Sequence, residues 1–434
     1  MKLYIFITGS ITLVGGAELY VAAKKRFLED NNWKVIVVST RKGKPFIDEL
    51  SYHSKFVFEC LSFSPFYYNK HKRDKIINDI VSLIKREGNL NGYKDLIVES
   101  SSQYLSLWGE MISAKLGARH ILFFLQEKYK PASQSLSYFY EFKLKRKEFA
   151  CIRKKGVQML LPKSDNLTLA NLTELCASEG MPVSNNCNQV LSKIQPKDYS
   201  ITILGRLDKE YVFYGTKAVL TFAKKYRDKR INLLLVGDNS PENKKKNKQL
   251  KKMVAKQPNL TTFFTGNLYP IPKQLFDNTD IFIAGSGCAS IAAYYCSYVI
   301  TVYAVDNKAM GFLGYSTTST IFRQNEPLVE IETLLENGLL RHEYGSSVLY
   351  DNWKKEKEQA FCCSKVFQQH LDFIKDDSPR CYFDFSSIKN EKSDTLLYLL
   401  LFFFGYRLTN ALRLLVNRLK KWAIKLQTIS CGGC

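Results

Sequence analysis

Three short stretches of this 434-residue chain place glycines, cations or both where main-chain amides could meet an anion. The first, Gly15-Gly16-Ala17-Glu18, follows the apolar run Leu3–Ile7 and opens a helical pattern. Glycines there let the backbone approach a ligand closely, and the helix start offers free amides at its positive end. A packing turn is the competing reading. The stretch is not G-x-G-x-x-G, so a dinucleotide reading has little support. In the second, Ile201–Gly205 runs into Arg206-Leu207-Asp208, with Lys209 and Lys217 within reach of the same turn. An arginine leaving the C-terminal end of a strand would point into a ligand crevice, where its guanidinium fork suits a diphosphate. The alternative is a surface arginine. In the third, Ile281–Ala284 leads to Gly285-Ser286-Gly287-Cys288 and a helix, a second amide nest for an anion or a structural turn.

The elements that must position these turns alternate along the chain. Apolar runs predict strands at 3–8, 34–39, 95–99, 119–125 and 157–161, then at 200–204, 231–236, 260–264, 280–284 and 299–303. Amphipathic stretches at 17–30, 74–87, 103–116, 214–227 and 288–296 predict helices between them. Continuous apolar strands separated by helices predict parallel sheets covered on both faces. The Gly/Pro/Ser/Asn-rich segment 178–198 breaks the rhythm. The expected α/β organisation is therefore an N-terminal domain 1–180, a linker 181–198, a C-terminal domain 199–375 with closing helix, and a tail 376–434. Such folds bind ligands at the C-terminal ends of their strands.

Composition constrains the partners. The net charge of +22 draws the chain toward anionic lipid, phosphorylated substrates or nucleic acid, but no nucleic-acid-binding motif accompanies it. The 11 cysteines show no framework spacing, which fits a reducing compartment, and Cys431-Gly-Gly-Cys434 stands alone as a loose end. No histidine pair has ligand spacing, so no metal and no tightly bound cofactor are expected. The tail supplies an anchor. Residues 396–406 are almost wholly apolar yet only ~11 long, against roughly 20 needed to cross a bilayer. Beyond them Leu408, Ala411, Leu412, Leu415, Leu419, Trp422 and Leu426 share a helical face opposite Arg407, Arg413, Arg418, Lys420, Lys421 and Lys425. That pattern describes a helix lying in the plane of a membrane over 396–427, which would place the protein on the cytoplasmic side of the cell membrane. A helix packed on the protein's own core or in a partner's groove is the alternative. The lysine run 244–252 reads as a solvated helix face, or as a lipid contact.

Taken in order, these motifs resemble the GT-B glycosyltransferases. Gly15-Gly16-Ala17-Glu18 resembles a G-G-x-E opening, and Gly205-Arg206-Leu207-Asp208 followed by Leu233–Val236-Gly237-Asp238 resembles the donor-binding core. Asn259–Gly266, the strand from Asp280 and the Gly311–Thr318 segment extend the likeness over residues 1–375, toward the family 4-like, retaining branch of surface polysaccharide assembly. The resemblance implies two Rossmann-like domains with a deep cleft and a nucleotide-sugar donor in the C-terminal half. It also implies a lipid-linked or polysaccharide acceptor. Arg206 and Lys217 would grip the diphosphate, with Gly15, Gly16 and Glu18 on the facing wall. The family usually has two glutamates eight apart at the third turn; here the matching positions are Gly287 and Tyr295, with Cys288 and Ser290 nearby to fill part of the gap. Glu127 stands near where a histidine is usual and is the candidate acceptor-side base, or else a rim carboxylate. Glu141 and Glu148 read as helix partners of neighbouring lysines. An inactive homologue serving as scaffold or partner subunit follows from the same departures, and the partners it leaves open are a homo-oligomer or an active transferase.

Overall fold

The computed structural model describes residues 2–89, 95–126, 129, 131–161, 171–178, 182–238, 244–295, 298–303, 305–375 and 379–388, and in the tail 399–401, 403, 405, 406, 408, 409, 411 and 412. By packing, the chain divides into two units. One comprises residues 1–12, 24–175 and 369–434, the other residues 13–23 and 176–368.

The first unit is built on a six-stranded parallel sheet. Its strands are β1 (Lys2–Thr8), β2 (Trp33–Ser39), β3 (Asp95–Ser100), β4 (Arg119–Phe124), β5 (Phe149–Cys151) and β6 (Thr173–Glu174), in the order β2-β1-β3-β4-β5-β6. Helices α1 (Gly16–Asp30), α2 (Lys70–Gly88), α3 (Gln103–Leu116) and α4 (Gln134–Lys145) make the crossovers. Their ends follow local rules. The Asn69 side chain accepts from the Lys72 amide at the start of α2, and Gly117 takes the left-handed conformation that closes α3.

The fifth strand differs from the expectation at 157–161. There the chain forms a helical turn, Lys154–Val157, and a 3-10 turn, Gln158–Leu160. Leu160 and Leu161 are apolar because they pack beside Phe124, Tyr140 and Phe149, not because they pair in the sheet. The true β5 is three residues long, too short to show a period. Glu141 does pair with Lys145 at 2.8 Å. Glu148 is no helix partner: it is buried just before β5, bonded to Lys143 at 2.8 Å and Arg146 at 3.3 Å.

The second unit has the strand order β10-β9-β8-β12-β13-β14. The strands are β8 (Tyr199–Leu204), β9 (Ile231–Val236), β10 (Leu260–Gly266), β12 (Ile281–Ala284), β13 (Tyr298–Val302) and β14 (Ala309–Phe312). All pairings are parallel except the β13–β14 edge. Its helices are α5 (Glu210–Lys225), α6 (Lys244–Val254), α7 (Gly287–Tyr294), α8 (Ile331–Arg341) and α9 (Ser347–Phe361), and α10 (Cys363–Ile374) begins in it and ends in the first unit. Strand β12 shows why the sequence reads as continuous apolar runs. Ile281 and Ile283 join the core on one face, Phe282 and Ala284 the core on the other. The segment 182–198 is folded onto this unit: β7 (Val183–Ser184) pairs with β11 (Ile271–Pro272), and Leu191 is buried.

From residue 369 the chain belongs to the first unit. Phe383 donates its amide to Glu110 at 2.8 Å, Arg119 donates to the Ile374 carbonyl at 2.9 Å, and Phe383 and Phe385 pack on Phe139. His370 lies 3.2 Å from the buried ammonium of Lys24, which pairs with Glu99 at 2.6 Å, while Tyr4 donates to the same carboxylate. Burial pushes the Lys24 pKa down and the Tyr4 hydroxyl up.

Candidate donor-binding site

In the second unit the strand order reverses between β8 and β12, the switch point where open α/β sheets bind ligands. Leu204 and Ala284 are register partners, so the turns at Gly205 and Gly285 leave the sheet side by side. Tyr211 packs against both. Its hydroxyl donates to the Leu204 carbonyl at 2.8 Å, a Cβ at Gly205 would collide with that hydroxyl, and one at Gly285 would touch its ring. Gly205 has φ +146°, and Gly237, at φ +135°, is held so close that a Cβ would strike the Gly205 carbonyl. Only glycine allows this approach of two strand ends.

Arg206 emerges from this corner, its side chain 45% exposed and its Nε 3.3 Å from Asp208. Lys209 is exposed and precedes α5, its ammonium 5.9 Å from the Tyr211 ring. Lys246 of α6 donates to the Asp208 carbonyl at 2.5 Å. One lysine of the 244–252 run therefore folds back onto the arginine turn, a cation that the sequence pattern alone left on a solvated face. Lys217 stands on the exposed stripe of α5 with Tyr214 and Thr221, two turns beyond Lys209.

The second wall is the 285–288 turn. Ser286 adopts φ 58°, ψ −143°, rare for a residue with a side chain, and its amide donates to the Thr320 carbonyl at 2.8 Å. Behind it α7 begins at Gly287, and the first amides of a helix have no acceptor within it. Cys288 is half-buried; burial pushes its thiol up, against the pull of the Lys209 ammonium. Ser290 is buried, and its hydroxyl has no hydrogen-bond partner among the described residues. Tyr295, at the end of α7, stacks on Phe276 with ring centres 5.0 Å apart.

A carboxylate that the sequence did not single out supports this turn. Glu326 accepts from the Thr317 hydroxyl at 2.6 Å and from the amides of Gln324 and Asn325 at 2.7 and 3.1 Å. Thr317 in turn accepts the Ser319 amide at 2.9 Å, and Thr320, whose carbonyl holds Ser286, follows directly. Burial pushes the Glu326 pKa up, but the hydrogen bonds prevail and hold it at about 2.

Gly15, Gly16 and Glu18 lie at the start of α1, where Leu19 donates to the Gly15 carbonyl at 3.0 Å and Glu18 is buried. Glu127, the tail residues Arg407, Arg413, Arg418, Lys420, Lys421 and Trp422, and Cys431 and Cys434 lie outside the described residues. Among the described residues no group of three or more His, Cys, Asp or Glu could hold a metal ion, and no helix is long and apolar enough to cross a membrane. A cavity of about 460 Å³ in the first unit, lined by Lys2, Asp95, Arg119 and Glu148, sits at the N-terminal ends of the strands, the wrong edge for the ligand of such a sheet.

No family model and no curated protein matches the sequence. Solved structures do match the fold. A glycosyltransferase from Rickettsia africae superposes with a TM-score of 0.60 at 16% identity, over 87% of this chain and 100% of that one. HepE from Anabaena, crystallised with UDP-glucose, gives 0.56 at 14% identity, over 86% and 99%. Sucrose-phosphate synthase from Thermosynechococcus elongatus gives 0.51 at 12%, over 86% and 98%. The chain has the GT-B glycosyltransferase fold.

Proposed function

We propose that this chain is a glycosyltransferase that moves a sugar from a nucleotide-sugar donor to a lipid-linked or nascent polysaccharide acceptor on the cytoplasmic face of a membrane. The observation that carries the donor half is the corner at the switch point of the second sheet. Arg206, Lys209 and Lys246 gather there at one glycine turn, beside the amide-bearing start of α7. Transfer of a sugar leaves negative charge on the departing diphosphate. Fixed cations and preorganised amides stabilise that charge as it develops, without reorganising at the moment of reaction. Arg206 and a lysine, Lys217 by the family resemblance or Lys209 by its place in the turn, would hold the diphosphate. Gly285 to Cys288 would face it, with Tyr295 and Ser290 nearby. Gly15, Gly16 and Glu18 would line the acceptor side, and Glu127 would serve there as the base. The amphipathic tail suits an acceptor that is itself held in a bilayer, and its basic side chains suit an anionic surface.

The second reading is a transferase homologue without turnover, acting as scaffold or partner subunit. It is favoured by Gly287 and Tyr295, which carry no carboxylate where the resemblance leads one to expect two. Incubation of the purified chain with a panel of nucleotide sugars separates the two. Selective binding of one donor with release of nucleoside diphosphate supports the enzyme. Donor binding without turnover supports the scaffold, and no binding by any donor removes the donor-site assignment.

A further inference from the structure

We infer that the outward faces of α5 and α6 form one cationic track for an anionic polysaccharide, leading to the glycine corner at Gly205. Only the polymer's role, as the acceptor, rests on the proposed transferase reading; its binding to the track does not. The two helices are the successive crossovers from β8 to β9 and from β9 to β10, and those strands lie side by side in that order. Right-handed crossovers that step in one direction place both helices on the same face of the sheet. Their inner sides agree: Val219 and Phe222 of α5 and Leu250 and Val254 of α6 are buried in one core.

The outer sides are basic. On α6, Lys248, Lys251 and Lys252 are exposed at spacings of three and four, so they share one side of the helix. On α5, Lys217 and Lys224 are exposed in one stripe with Thr221, and the single acid of that helix, Glu210, stands in its first turn. From Lys244 to Lys256 the sequence has seven lysines and no acid. Each helix follows a strand, so both rows of lysines start at the C-terminal edge of the sheet and run outward from it. Lys246 marks the near end, where its ammonium reaches the Asp208 carbonyl beside Arg206. With 16 residues, α5 carries its row over about 24 Å. A lipid surface calls for apolar side chains that enter the acyl boundary, and a single-stranded nucleic acid for a series of aromatic platforms. Among the described residues of the two helices, Tyr214 is the one large exposed hydrophobic. One ring among lysines serves neither partner. It can stack on the apolar face of a sugar while the ammonium groups meet the polymer's carboxylates or phosphates.

The test is binding of the full chain, at about 0.1 M salt, to polygalacturonate, to neutral dextran and to polyuridylate. The wild type should bind polygalacturonate and leave dextran free. K248Q/K251Q/K252Q should bind polygalacturonate about tenfold more weakly. The charge-matched K70Q/K75Q/K85Q, at exposed positions of α2, should bind it like the wild type, with the same circular dichroism for all three proteins. Equal weakening in both variants would overturn the track and leave only the overall charge of +22 at work. Polyuridylate bound more tightly than polygalacturonate, and lost in K248Q/K251Q/K252Q, would overturn the glycan in favour of a nucleic acid. Nucleotide-sugar binding by K248Q/K251Q/K252Q should match the wild type, because none of these lysines belongs to the proposed donor site. If no nucleotide sugar binds the wild type, the acceptor role falls with the transferase reading while the track stands.

Discussion

At the scale of single residues, the candidate site depends on a guanidinium that the fold leaves available. Arg206 is 45% exposed and meets Asp208 through one nitrogen, so removing it should cost little stability. A charge-assisted hydrogen bond to a phosphate contributes about 1.5–3 kcal/mol, so Arg206→Ala should weaken donor binding by about tenfold or more while the melting temperature holds. Titration calorimetry with the donor selected from the panel reads this directly. Undiminished affinity would remove Arg206 from the site, and Lys209→Ala and Lys217→Ala measured in parallel would show which ammonium shares the load. His53 makes a prediction of a different kind. It is buried, it accepts the Val37 amide at 3.3 Å, and burial, aided by the charges of Lys25 and Lys55, lowers its pKa from 6.5 to about 4. Between those values the unfolded chain holds a proton that the folded chain does not, so stability is complete above pH 6.5 and falls as pH drops toward 4. The loss between pH 7 and 5 should be about 2 kcal/mol, a range that stays above most carboxylate titrations. Urea unfolding of His53→Gln at the two pH values should show that component gone; parallel losses in variant and wild type would refute the assignment.

At the scale of elements, the loop from Gly311 to Glu326 sets the geometry of the 285–288 turn without belonging to it. Ser286 occupies a backbone region that costs of order 1–3 kcal/mol, and the Thr320 carbonyl helps hold it there. Glu326→Ala removes the acceptor that gathers Thr317, Gln324 and Asn325, so the loop should loosen and the Ser286 amide should exchange hydrogen faster. Donor affinity should fall by about tenfold, in line with the loss of one or two charged hydrogen bonds, and Glu326→Gln should recover part of it. If exchange at Ser286 is unchanged while affinity falls, Glu326 meets the donor itself and is no latch. This dependence was beyond the reach of the sequence for a physical reason: Glu326 lies forty residues from Ser286, in an irregular segment with no period. What was legible was what has a period or a glycine. The runs at 231–236 and 281–284 announced strands buried on both faces, and Gly205 and Gly285 announced their turns. The antiparallel β14 and the three-residue β5 were missed because neither is long enough to alternate. Lys246 was missed because a basic helix face looks the same whether a lysine points to water or to the Asp208 carbonyl. Membership of the GT-B fold came from the order of motifs, none of which is specific alone.

At the scale of the whole molecule, the tail has a part that packs on the first unit and a part proposed to meet a membrane, and an ordinary truncation would confuse the two. Its first part is structural. Leu401 fills a place in the core of the first unit, Tyr406 covers that core, and Lys72 reaches back to the Leu401 carbonyl. Its second part, residues 413–434, carries Arg413, Arg418, Lys420, Lys421, Trp422 and Lys425, the side chains proposed to meet the membrane. A chain ending at 393 loses both and uncovers the apolar seat of Leu401. Emptying a buried leucine position typically costs about 2–5 kcal/mol, so this shorter chain should melt early and expose core surface. Its behaviour with vesicles would then say nothing about a membrane anchor. A chain ending at 412 keeps the seat filled. It should melt close to the full-length protein, yet bind vesicles containing phosphatidylglycerol much more weakly, since each basic residue near an anionic surface contributes about 1 kcal/mol. Raising the salt should weaken binding of the full chain in the same experiment, because exposed charges are screened over about 10 Å at 0.1 M. If the 412-residue chain sediments with anionic vesicles as fully as the intact one, the amphipathic segment is not the anchor. The +22 charge of the protein would then need another anionic partner, and the proposed donor site would be the first place to look for one.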